Sequence, residues 1–506
     1  MKTQQHVPVL IVGGGVVGLS AALFLLQQGI VPMLVEKHAG TSIHPRARGF
    51  DIRSMELFRS LGLTDAIREA GKALAPAWGI LSGVSIAAAM ENRKPHKKTR
   101  GPELIVKAAN LDSYSPEQGA RCTQDLSEPV LLKAAIERGA DVHFQTKCIS
   151  FSQDENGVSA VMQSGEKEWT VTADYMIAAD GAGSNIRSTL QAATMGVGAL
   201  GKLLNIYFEA DLSAEVKGRE FSLLLVDTPG IKGLLTAINN TDRWVFHLLN
   251  DRDYTQEELI AILNTVVGFP GKKIQILSIL PWQPTVKVVT NMRHGRIFLA
   301  GDAAHTMPPY GGKGANTGVQ DVHNLAWKLA AVLNEKADST LLDTYDIERQ
   351  PVGYENAVSS GAWADEYGLL KKKRGNMMKI MGSMLSVIAL NKLGFKKRSH
   401  RIAMHNIAGI AGLPEYRYSK QKTYLKADAL NGAVGTRVPH EWITVNGKII
   451  SSLDVVGIGY VLFTGKGWNG ELQNNIPVYP MRMLPPKVAI LVRPDGFVEK
   501  YLYSIP

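Results

Sequence analysis

One stretch of the sequence, GDAAHTMPPYGGKGANTG at residues 301–318, combines residue types that can hold a flat ligand. Asp302 follows an apolar run, and a carboxylate at the end of a strand can accept hydrogen bonds from the hydroxyl groups of a cofactor. Pro308 and Pro309 stiffen the chain, because proline fixes φ and lacks an N–H group. The stretch is therefore predicted to be a ligand-binding loop.

The same stretch leads through small residues into a long predicted helix, Asn316–Leu333. Backbone amides at the start of a helix are free to bind an anion or a carbonyl oxygen, and here they are assigned to Gly314, Ala315 and Asn316. A flat redox ring whose carbonyl becomes anionic on reduction matches such a site, and isoalloxazine is such a ring. His305 is either a base or a buried structural histidine, and the structural interpretation is favoured.

A second glycine-rich stretch, GGGVVG, lies between an apolar strand pattern and an apolar helical pattern. Gly13, Gly15 and Gly18 fit GxGxxG, whose glycines allow a tight turn, a close approach to a pyrophosphate and packing of helix on strand. The next predicted strand, Val31–Glu36, ends on an acid that can accept hydrogen bonds from a ribose. This order of elements predicts a dinucleotide-binding unit.

Other charged residues flank these motifs. Arg46 and Arg48 precede a predicted helix, and each is either a pyrophosphate contact or a solvated surface charge. Asp180 and Gly181 follow a buried strand, and Arg187 lies at the start of the next predicted helix.

Composition excludes several classes of function. The formal net charge of the 506 residues is +10, but residues 371–398 and 91–100 carry the whole of this excess, so a nucleic-acid-binding surface is not predicted. The two cysteines, Cys122 and Cys148, form no CxxC motif; they predict neither a disulfide scaffold nor a metal site, and they suit a reducing cytoplasm. No apolar run is long enough to cross a membrane, and no signal peptide is predicted.

The basic segment 371–398 has two interpretations. Apolar residues recur at helical spacing between its two lysine clusters, so it is either a helix packed between domains or a peripheral contact with an anionic membrane surface. The packed helix is the favoured interpretation.

Three separated motifs together carry a family resemblance. GGGVVG with Glu36, the Asp180–Gly181 turn and GDAAHTMPPYGGKGANTGVQD resemble those of the FAD-dependent aromatic hydroxylases, the single-component flavoprotein monooxygenases of the p-hydroxybenzoate hydroxylase type. The resemblance covers nearly the whole chain. The tail motifs GTRVPHEW and LVRPDGFV resemble the branch that modifies polyketides and antibiotics, in which a thioredoxin-like domain follows; its CxxC is missing here.

The resemblance implies an α/β fold in which a Rossmann-type FAD-binding domain carries an inserted antiparallel β-sheet substrate domain and a C-terminal thioredoxin-like domain. The predicted boundaries are 1–75, 101–185 and 290–365 for the FAD-binding domain, 76–100 and 186–289 for the substrate domain, 366–415 for a helical connector and 416–506 for the C-terminal domain.

The resemblance also implies contacts at the adenosine end of FAD. Gly13, Gly15 and Gly18 would surround the pyrophosphate, Glu36 would bind the ribose, and Arg46 matches a FAD-contacting arginine of the family.

Other positions match contacts at the flavin end. Gln124 would lie beside the flavin, Asp302 would bind the ribityl chain, and the amides of Ala315 and Asn316 would bind a carbonyl of the ring. Pro309 would shape the site beside the reacting edge.

The implied reaction has two halves. NAD(P)H, with NADPH favoured, reduces FAD, and O₂ then forms a C4a-hydroperoxide whose terminal oxygen is attacked by an electron-rich aromatic ring. Asp180, Gly181 and Arg187 would lie between FAD and NAD(P)H. No residue is assigned to the removal of a phenolic proton from the substrate.

Two alternatives stay open. A flavin oxidase or dehydrogenase would use the same fold without inserting oxygen, and a non-catalytic protein would only bind an aromatic compound. Among substrates, a fused-ring polyketide or antibiotic is favoured over a single-ring phenol because of the tail motifs alone.

Overall fold

The structure is a computed structural model, and it describes residues 5–74, 79–91, 93–95, 113–250, 252–371, 382, 385–387, 389–390, 393–395, 412–427, 430–470 and 475–504. The strands are β1 Gln5–Val12, β2 Met33–Val35, β3 Ile80–Gly83, β4 Asp141–His143, β5 Lys147–Gln153, β6 Val158–Ser164, β7 Lys167–Ala178, β8 Thr194–Ala199, β9 Leu203–Glu209, β10 Leu223–Thr228, β11 Ile231–Ala237, β12 Arg243–Leu249, β13 Gln275–Trp282, β14 Thr285–Val289, β15 Arg293–His294, β16 Ile297–Leu299, β17 His305–Thr306, β18 Tyr416–Arg417, β19 Leu425–Lys426, β20 Trp442–Val445, β21 Lys448–Ser451, β22 Val461–Thr464, β23 Val478–Pro480, β24 Val488–Val492 and β25 Val498–Tyr503. The α-helices are α1 Val16–Gln27, α2 Ile52–Ser60, α3 Thr64–Ala70, α4 Ile86–Glu91, α5 Gln124–Glu137, α6 Asn185–Thr189, α7 Ser213–Val216, α8 Gln256–Val267, α9 Lys313–Leu333 and α10 Asp343–Gly361.

The largest sheet joins strands that are distant in the sequence. Its parallel strands lie in the order β16–β7–β1–β2–β4, and β15, β6 and β5 extend it through antiparallel pairs. The central strands are short apolar runs buried on both faces, as expected of a parallel sheet covered by helices. α1 packs against both α5 and α9. The predicted Rossmann-type parallel sheet is confirmed.

Two predicted elements differ from the structure at their ends. The second strand was expected at Val31–Glu36, but β2 is shorter. The long helix was expected to begin at Asn316, whereas α9 begins at Lys313. Gly311 and Gly312 have φ values of 86° and 64°, so the chain turns sharply enough to enter the helix three residues early.

Close packing of glycines joins β1 to α1 and α1 to the loop after β16. A Cβ atom on Gly18 would lie 1.8 Å from the carbonyl oxygen of Gly13, and one on Gly301 would lie 2.8 Å from Cγ2 of Val17. A Cβ atom on Gly318 of α9 would be closer still to Cγ2 of Val17, at 2.5 Å. The two glycine-rich stretches are therefore held against each other through Val17.

A second sheet is formed by strands β9 to β13 of the segment inserted between β7 and β16 and by β3. Its order is β13–β9–β12–β11–β10–β3, and every pair is antiparallel except that of β3 and β10. One face of the sheet packs on α4 and α8 around a large apolar core. The predicted inserted antiparallel sheet is confirmed.

The C-terminal part contains a third sheet, in the order β23–β22–β24–β25. β22 and β23 are parallel, whereas β24 is antiparallel to both of its neighbours. A separate hairpin, β20–β21, lies beside the 3-10 helix Ser452–Val455. An apolar core of its own supports this part of the chain.

Buried ion pairs attach the C-terminal part to the first sheet and its helices. Arg437 donates to the carboxylate of Glu56 in α2 at 2.9 Å, and both side chains are buried. Arg493 bonds both oxygens of Glu348 in α10, at 2.5 and 2.9 Å. Because a buried charge without its partner is strongly destabilising, these pairs hold the C-terminal part in one orientation.

The basic segment 371–398 falls mostly outside the described residues, so neither of its interpretations is decided. Of the residues described there, Leu385, Leu393 and Phe395 are exposed and Val387 is buried. Within the part of the chain that the structure describes, no helix has both the length and the apolar character needed to span a membrane.

We expect Gly18→Ala to lower the free energy of unfolding by about 3 kcal/mol, because the new methyl group would collide with the backbone of Gly13. Gly40→Ala is the control, since a Cβ there meets no atom within 4 Å, and it should change stability by about 0.5 kcal/mol at most. Urea unfolding followed by circular dichroism measures both variants. Equal stabilities would contradict the described packing.

Candidate functional site

The carboxylate of Glu36, which the sequence assigns to the ribose of a dinucleotide, lies against the first glycine turn. One oxygen accepts from the amide of Gly14 at 2.6 Å and the other from the amide of His38 at 2.9 Å. Each carboxylate oxygen has two acceptor sites, so Glu36 is fixed by the backbone and still has capacity to bind ribose hydroxyls.

A second carboxylate, that of Glu128, lies at the start of α1 and was missed in the sequence. It accepts from the amide of Val16 at 3.1 Å, the amide of Ser42 at 2.7 Å and the side chain of Gln124 at 2.6 Å. Burial raises the pKa of Glu128, and these three hydrogen bonds oppose that shift. The only signal in the sequence was a carboxylate beside Pro129 in an otherwise apolar helical pattern.

The two arginines after β2 point to different places. Arg46 is exposed, and its charge is close enough to lower the pKa of Asp302. Arg48 instead donates to the hydroxyl of Ser222 at 2.9 Å and the carbonyl of Ala237 at 2.9 Å, both in the region of the second sheet. Arg46 therefore faces the loop after β16, and Arg48 contacts the second sheet.

Asp302 lies where a ligand of the loop would be held. Its side chain is exposed, yet surrounding protein desolvates it enough to raise its pKa, against the opposing charges of His305, Arg46 and Arg187. The carboxylate of Asp302 is therefore accessible to a ligand although protein lies close around it. A Cβ on Gly314 would be 4.0 Å from its oxygen, so the start of α9 faces the same side.

The guanidinium of Arg187 is occupied by backbone carbonyls. It donates to Asp302 at 3.2 Å, to Ala303 at 3.0 Å and to Ala182 at 2.6 Å. Burial lowers the pKa of Arg187, and the charges of Asp180 and Asp302 oppose this shift. Arg187 therefore fastens the loop after β7 to the loop after β16.

The Asp180–Gly181 turn presents one unsatisfied acceptor. One oxygen of Asp180 accepts from the amide of Ile186 at 3.2 Å, while the other is buried without a hydrogen-bond partner among the described residues. Gly181 has a φ of 83°, which favours glycine.

The early start of α9 changes which amides are free. Amides in the first turn have no intrahelical acceptor, and these belong to Lys313, Gly314 and Ala315. The amide of Asn316 bonds instead to the carbonyl of Gly312 within the helix. The side chain of Asn316 also bonds Gly312, at 2.7 Å, and accepts from the amide of Asp51 at 3.0 Å. Pro309, by contrast, is exposed on the loop.

His305 is the structural histidine that the sequence favours. Its side chain is fully buried, and its Nε2 lies 2.7 Å from the carboxylate of Asp321. Arg349 donates to the other oxygen of Asp321 at 2.8 Å. Burial by itself raises the pKa of Asp321, but the charges of His305 and Arg349 and their hydrogen bonds outweigh it and leave the pKa below its ordinary value. This network was missed in the sequence, although an acid within an apolar helical pattern was its signal.

These residues fit a bound FAD. Gly18 and Gly13 provide a close turn, Glu36 is oriented by the backbone, and Asp302 lies desolvated beside the free amides of α9. The buried, unsatisfied oxygen of Asp180 requires a hydrogen-bond donor at the same edge of the parallel sheet. A Rossmann-type sheet with this arrangement at its carboxyl edge defines a dinucleotide-binding protein.

Comparisons with known proteins agree with this class. A family profile described as an FAD binding domain matches residues 6–359. The chain is 35% identical to tetracenomycin A2 monooxygenase-dioxygenase of Streptomyces glaucescens, over 98% of this chain and 93% of that protein. It is 33% identical to aklavinone 12-hydroxylase DnrF of Streptomyces peucetius, over 93% of this chain and 94% of that protein.

A solved structure extends the similarity to the whole fold. The flavin-dependent monooxygenase PieE, in complex with FAD and substrate, superposes with a TM-score of 0.78 at 26% identity and covers 99% of this chain and 96% of its own. The chain belongs to the family of FAD-dependent aromatic monooxygenases, so the recognition made from its motifs is confirmed.

We expect Arg349→Met to lower the free energy of unfolding by about 4 kcal/mol, because it removes the guanidinium group that compensates the buried carboxylate of Asp321. Arg293→Met removes a more exposed pair with Asp343 and should cost less than about 1 kcal/mol. Chemical unfolding monitored by tryptophan fluorescence distinguishes them. A small effect at Arg349 would mean that the network is not needed for stability.

Proposed function

We propose that the protein hydroxylates a phenolic, fused-ring aromatic of the polyketide type, with NAD(P)H and O₂ as co-substrates. The observation that supports this most is the placement of the second sheet, whose free face contacts both the loop after β16 and the start of α5. A substrate bound on that face would lie beside the flavin. The names of the relatives, tetracenomycin A2 monooxygenase-dioxygenase and aklavinone 12-hydroxylase, support the substrate class.

FAD would be held at both of its ends by the residues described above. We assign Gly13, Gly15, Gly18, Glu36 and Arg46 to the pyrophosphate and adenosine end.

At the flavin end, we assign Asp302 to the ribityl chain, and the amides of Gly314 and Ala315 to the ring carbonyl. Asn316 would act through its side chain, which fixes the turn before α9. Pro309 would border the ring.

Gln124 would also lie beside the flavin, although its amide group already bonds Glu128. Asp180, Gly181 and Arg187 would shape the path between FAD and NAD(P)H, with Arg187 as a positioning residue because its donors are taken.

When bound, FAD would transfer electrons from NAD(P)H to O₂ and so supply the oxygen that is inserted. The protein would exclude water, hold the ring flat against the loop and orient the substrate. Apolar residues on the free face of the second sheet suit exclusion of water, since Leu203 and Leu234 pack there against Tyr310 of the loop.

We also propose the domain division expected from the sequence, with residues 416–506 as a thioredoxin-like domain without CxxC. The order β23–β22–β24–β25, with one parallel pair and an antiparallel hairpin, supports this assignment. NADPH as the preferred donor, a cytoplasmic location and a membrane contact through 371–398 stay predictions.

The first test concerns cofactor binding. Asp302→Ala should yield folded protein that binds FAD at least about tenfold more weakly, because hydrogen bonds to a charged group contribute ~1.5–3 kcal/mol. Glu166→Ala removes an exposed carboxylate from the turn between β6 and β7 and serves as the control. The ratio of flavin to protein absorbance and titration with FAD measure the effect. Unchanged FAD affinity in Asp302→Ala would remove this residue from the cofactor site.

The second test concerns the reaction. The FAD-loaded protein is incubated with NADPH and ¹⁸O₂ against anthraquinone-type, tetracycline-type and single-ring phenols. We expect a fused-ring phenol to accelerate NADPH oxidation and to gain one labelled oxygen atom by mass spectrometry. Hydrogen peroxide without labelled product would favour the oxidase alternative, and a failure to oxidise NADPH with every compound would favour the binding protein.

A further inference from the structure

The two faces of the second sheet differ in how closely they are packed. On the face toward α8, Ile206, Phe208 and Phe246 have no exposed surface. On the opposite face, Leu225 and Trp282 keep part of their surface accessible although they pack among buried residues. This second face is therefore an apolar wall that is not completely covered by protein.

The apolar wall meets the FAD-binding residues on two sides. Leu203 and Leu234 pack with Tyr310, which follows Pro309 in the glycine- and proline-rich loop. Tyr207 packs with Leu126 of α5 and lies 5.6 Å, ring to ring, from His44. Residues between these contacts face the space beside the proposed flavin site.

Three polar side chains interrupt the apolar wall at its centre. His247 of β12 is paired with Asn205 of β9 and with Leu234 of β11 in the register of the sheet. Its Nδ1 lies 2.6 Å from Oδ1 of Asn205, and its Nε2 lies 3.1 Å from the hydroxyl of Thr236. Since the oxygen of Asn205 accepts, Nδ1 carries the proton, and the hydroxyl of Thr236 donates to Nε2.

This arrangement leaves some hydrogen-bonding atoms of the three side chains without a partner among the described residues. The hydroxyl oxygen of Thr236 keeps only acceptor sites, which cannot bond to an anionic oxygen, whereas the amide nitrogen of Asn205 is a donor with no acceptor among the described residues. A hydrogen-bonded triad in an apolar wall is costly unless its remaining capacity is satisfied. Thr236 and His247 therefore orient the amide of Asn205, whose nitrogen can donate to a ligand oxygen.

Positive charge lies next to the triad. Arg48 reaches the wall from the FAD-binding side and donates to Ser222 and Ala237, the latter adjacent to Thr236 in β11. Its Nε is buried without a partner, and none of the described carboxylates lies within salt-bridge distance of it. Burial lowers the pKa of Arg48 to about 9, so it stays protonated at neutral pH, and it has no counter-ion among the residues that the structure describes.

The histidines at the wall remain neutral. Burial, aided by the charges of His44 and Arg48, lowers the pKa of His247 to about 3, and burial with the charge of Arg46 lowers that of His44 to about 4. His247 nevertheless keeps some accessible surface, so the triad is not completely covered by protein. The positive charge of Arg48 at this wall is therefore not accompanied by charged imidazoles at neutral pH.

We propose that Thr236, His247 and Asn205, with Arg48 beside them, form the subsite that binds the ionisable hydroxyl of the aromatic substrate as its phenolate. The proton is released to solvent, the amide of Asn205 donates to the phenolate oxygen, and Arg48 supplies the opposite charge. This rests on the proposed function and deepens it, because an ionised ring is the more electron-rich partner for an electrophilic oxygen. The apolar wall around the subsite takes the remaining rings.

The test uses the FAD-loaded protein and two fused-ring probes, 1,2-dihydroxyanthraquinone, whose ionised form absorbs at longer wavelength, and anthraquinone, which has no hydroxyl. Wild type should bind the dihydroxy probe at least about tenfold more tightly, an effect of ~1.4 kcal/mol. It should also shift the absorbance of that probe toward the ionised form at a pH where the free probe is still neutral.

Two variants and one control variant test whether the probe preference and the absorbance shift depend on the subsite. Arg48→Met should abolish the absorbance shift, and Thr236→Val, which is nearly isosteric, should reduce the preference for the hydroxylated probe. Arg243→Met removes a half-exposed arginine of β12 that pairs with Glu209 and should behave as wild type. Flavin absorbance in each variant confirms that FAD is bound.

The possible outcomes separate the two proposals. Variants that keep both the preference and the shift overturn the subsite, even if wild type hydroxylates a phenol. A wild-type protein that does not discriminate between the probes overturns it as well. If the shift is present and lost in Arg48→Met but no labelled product forms with any phenol, the subsite stands and the proposed hydroxylase function fails.

Discussion

The carboxylate of Asp321 is the interaction on which the arrangement of the site depends. It is fully buried, and it bonds His305 of the cofactor loop, the amide of Gly301 and Arg349 of α10. A buried carboxylate is stable only when such partners hold it, so the loop, α9 and α10 have one mutual arrangement. This arrangement also fixes the positions of Asp302 and of the free amides of α9. Arg349 extends the hydrogen-bond network to Tyr416, near the C-terminal sheet.

The second sheet uses its two faces for different purposes. One face has a dense apolar core with α4 and α8, which gives the sheet its stability. The other face meets the cofactor loop and α5 without being completely covered, and its polar triad lies between those contacts. A rigid sheet that presents an incompletely covered face to a cofactor domain provides a fixed wall for a flat substrate.

The sequence predicted a close backbone contact correctly where only one residue type allows it. Glycines at Gly13 and Gly18 were recognised because only a missing side chain permits their contacts. Glu36 was assigned because an acid at the carboxyl end of the second strand lies at the edge of a parallel sheet, and it lies there although β2 itself ends at Val35. The contact of Arg48 was ambiguous, since a long flexible side chain can reach a pyrophosphate or a neighbouring sheet. The amide of Asn316 was assigned as free, but it is not, because the loop glycines set an earlier start of the helix.

By itself the sequence determined the parallel sheet, the inserted antiparallel sheet and the family, because glycine spacing and apolar periodicity are local properties of the chain. Tertiary structure alone decided which polar groups meet. Glu128 and Val16, or His247 and Asn205, are distant in sequence, and no periodic pattern specifies their contact. Burial then decides their chemistry, because the same imidazole that titrates near neutrality in water stays uncharged when protein surrounds it.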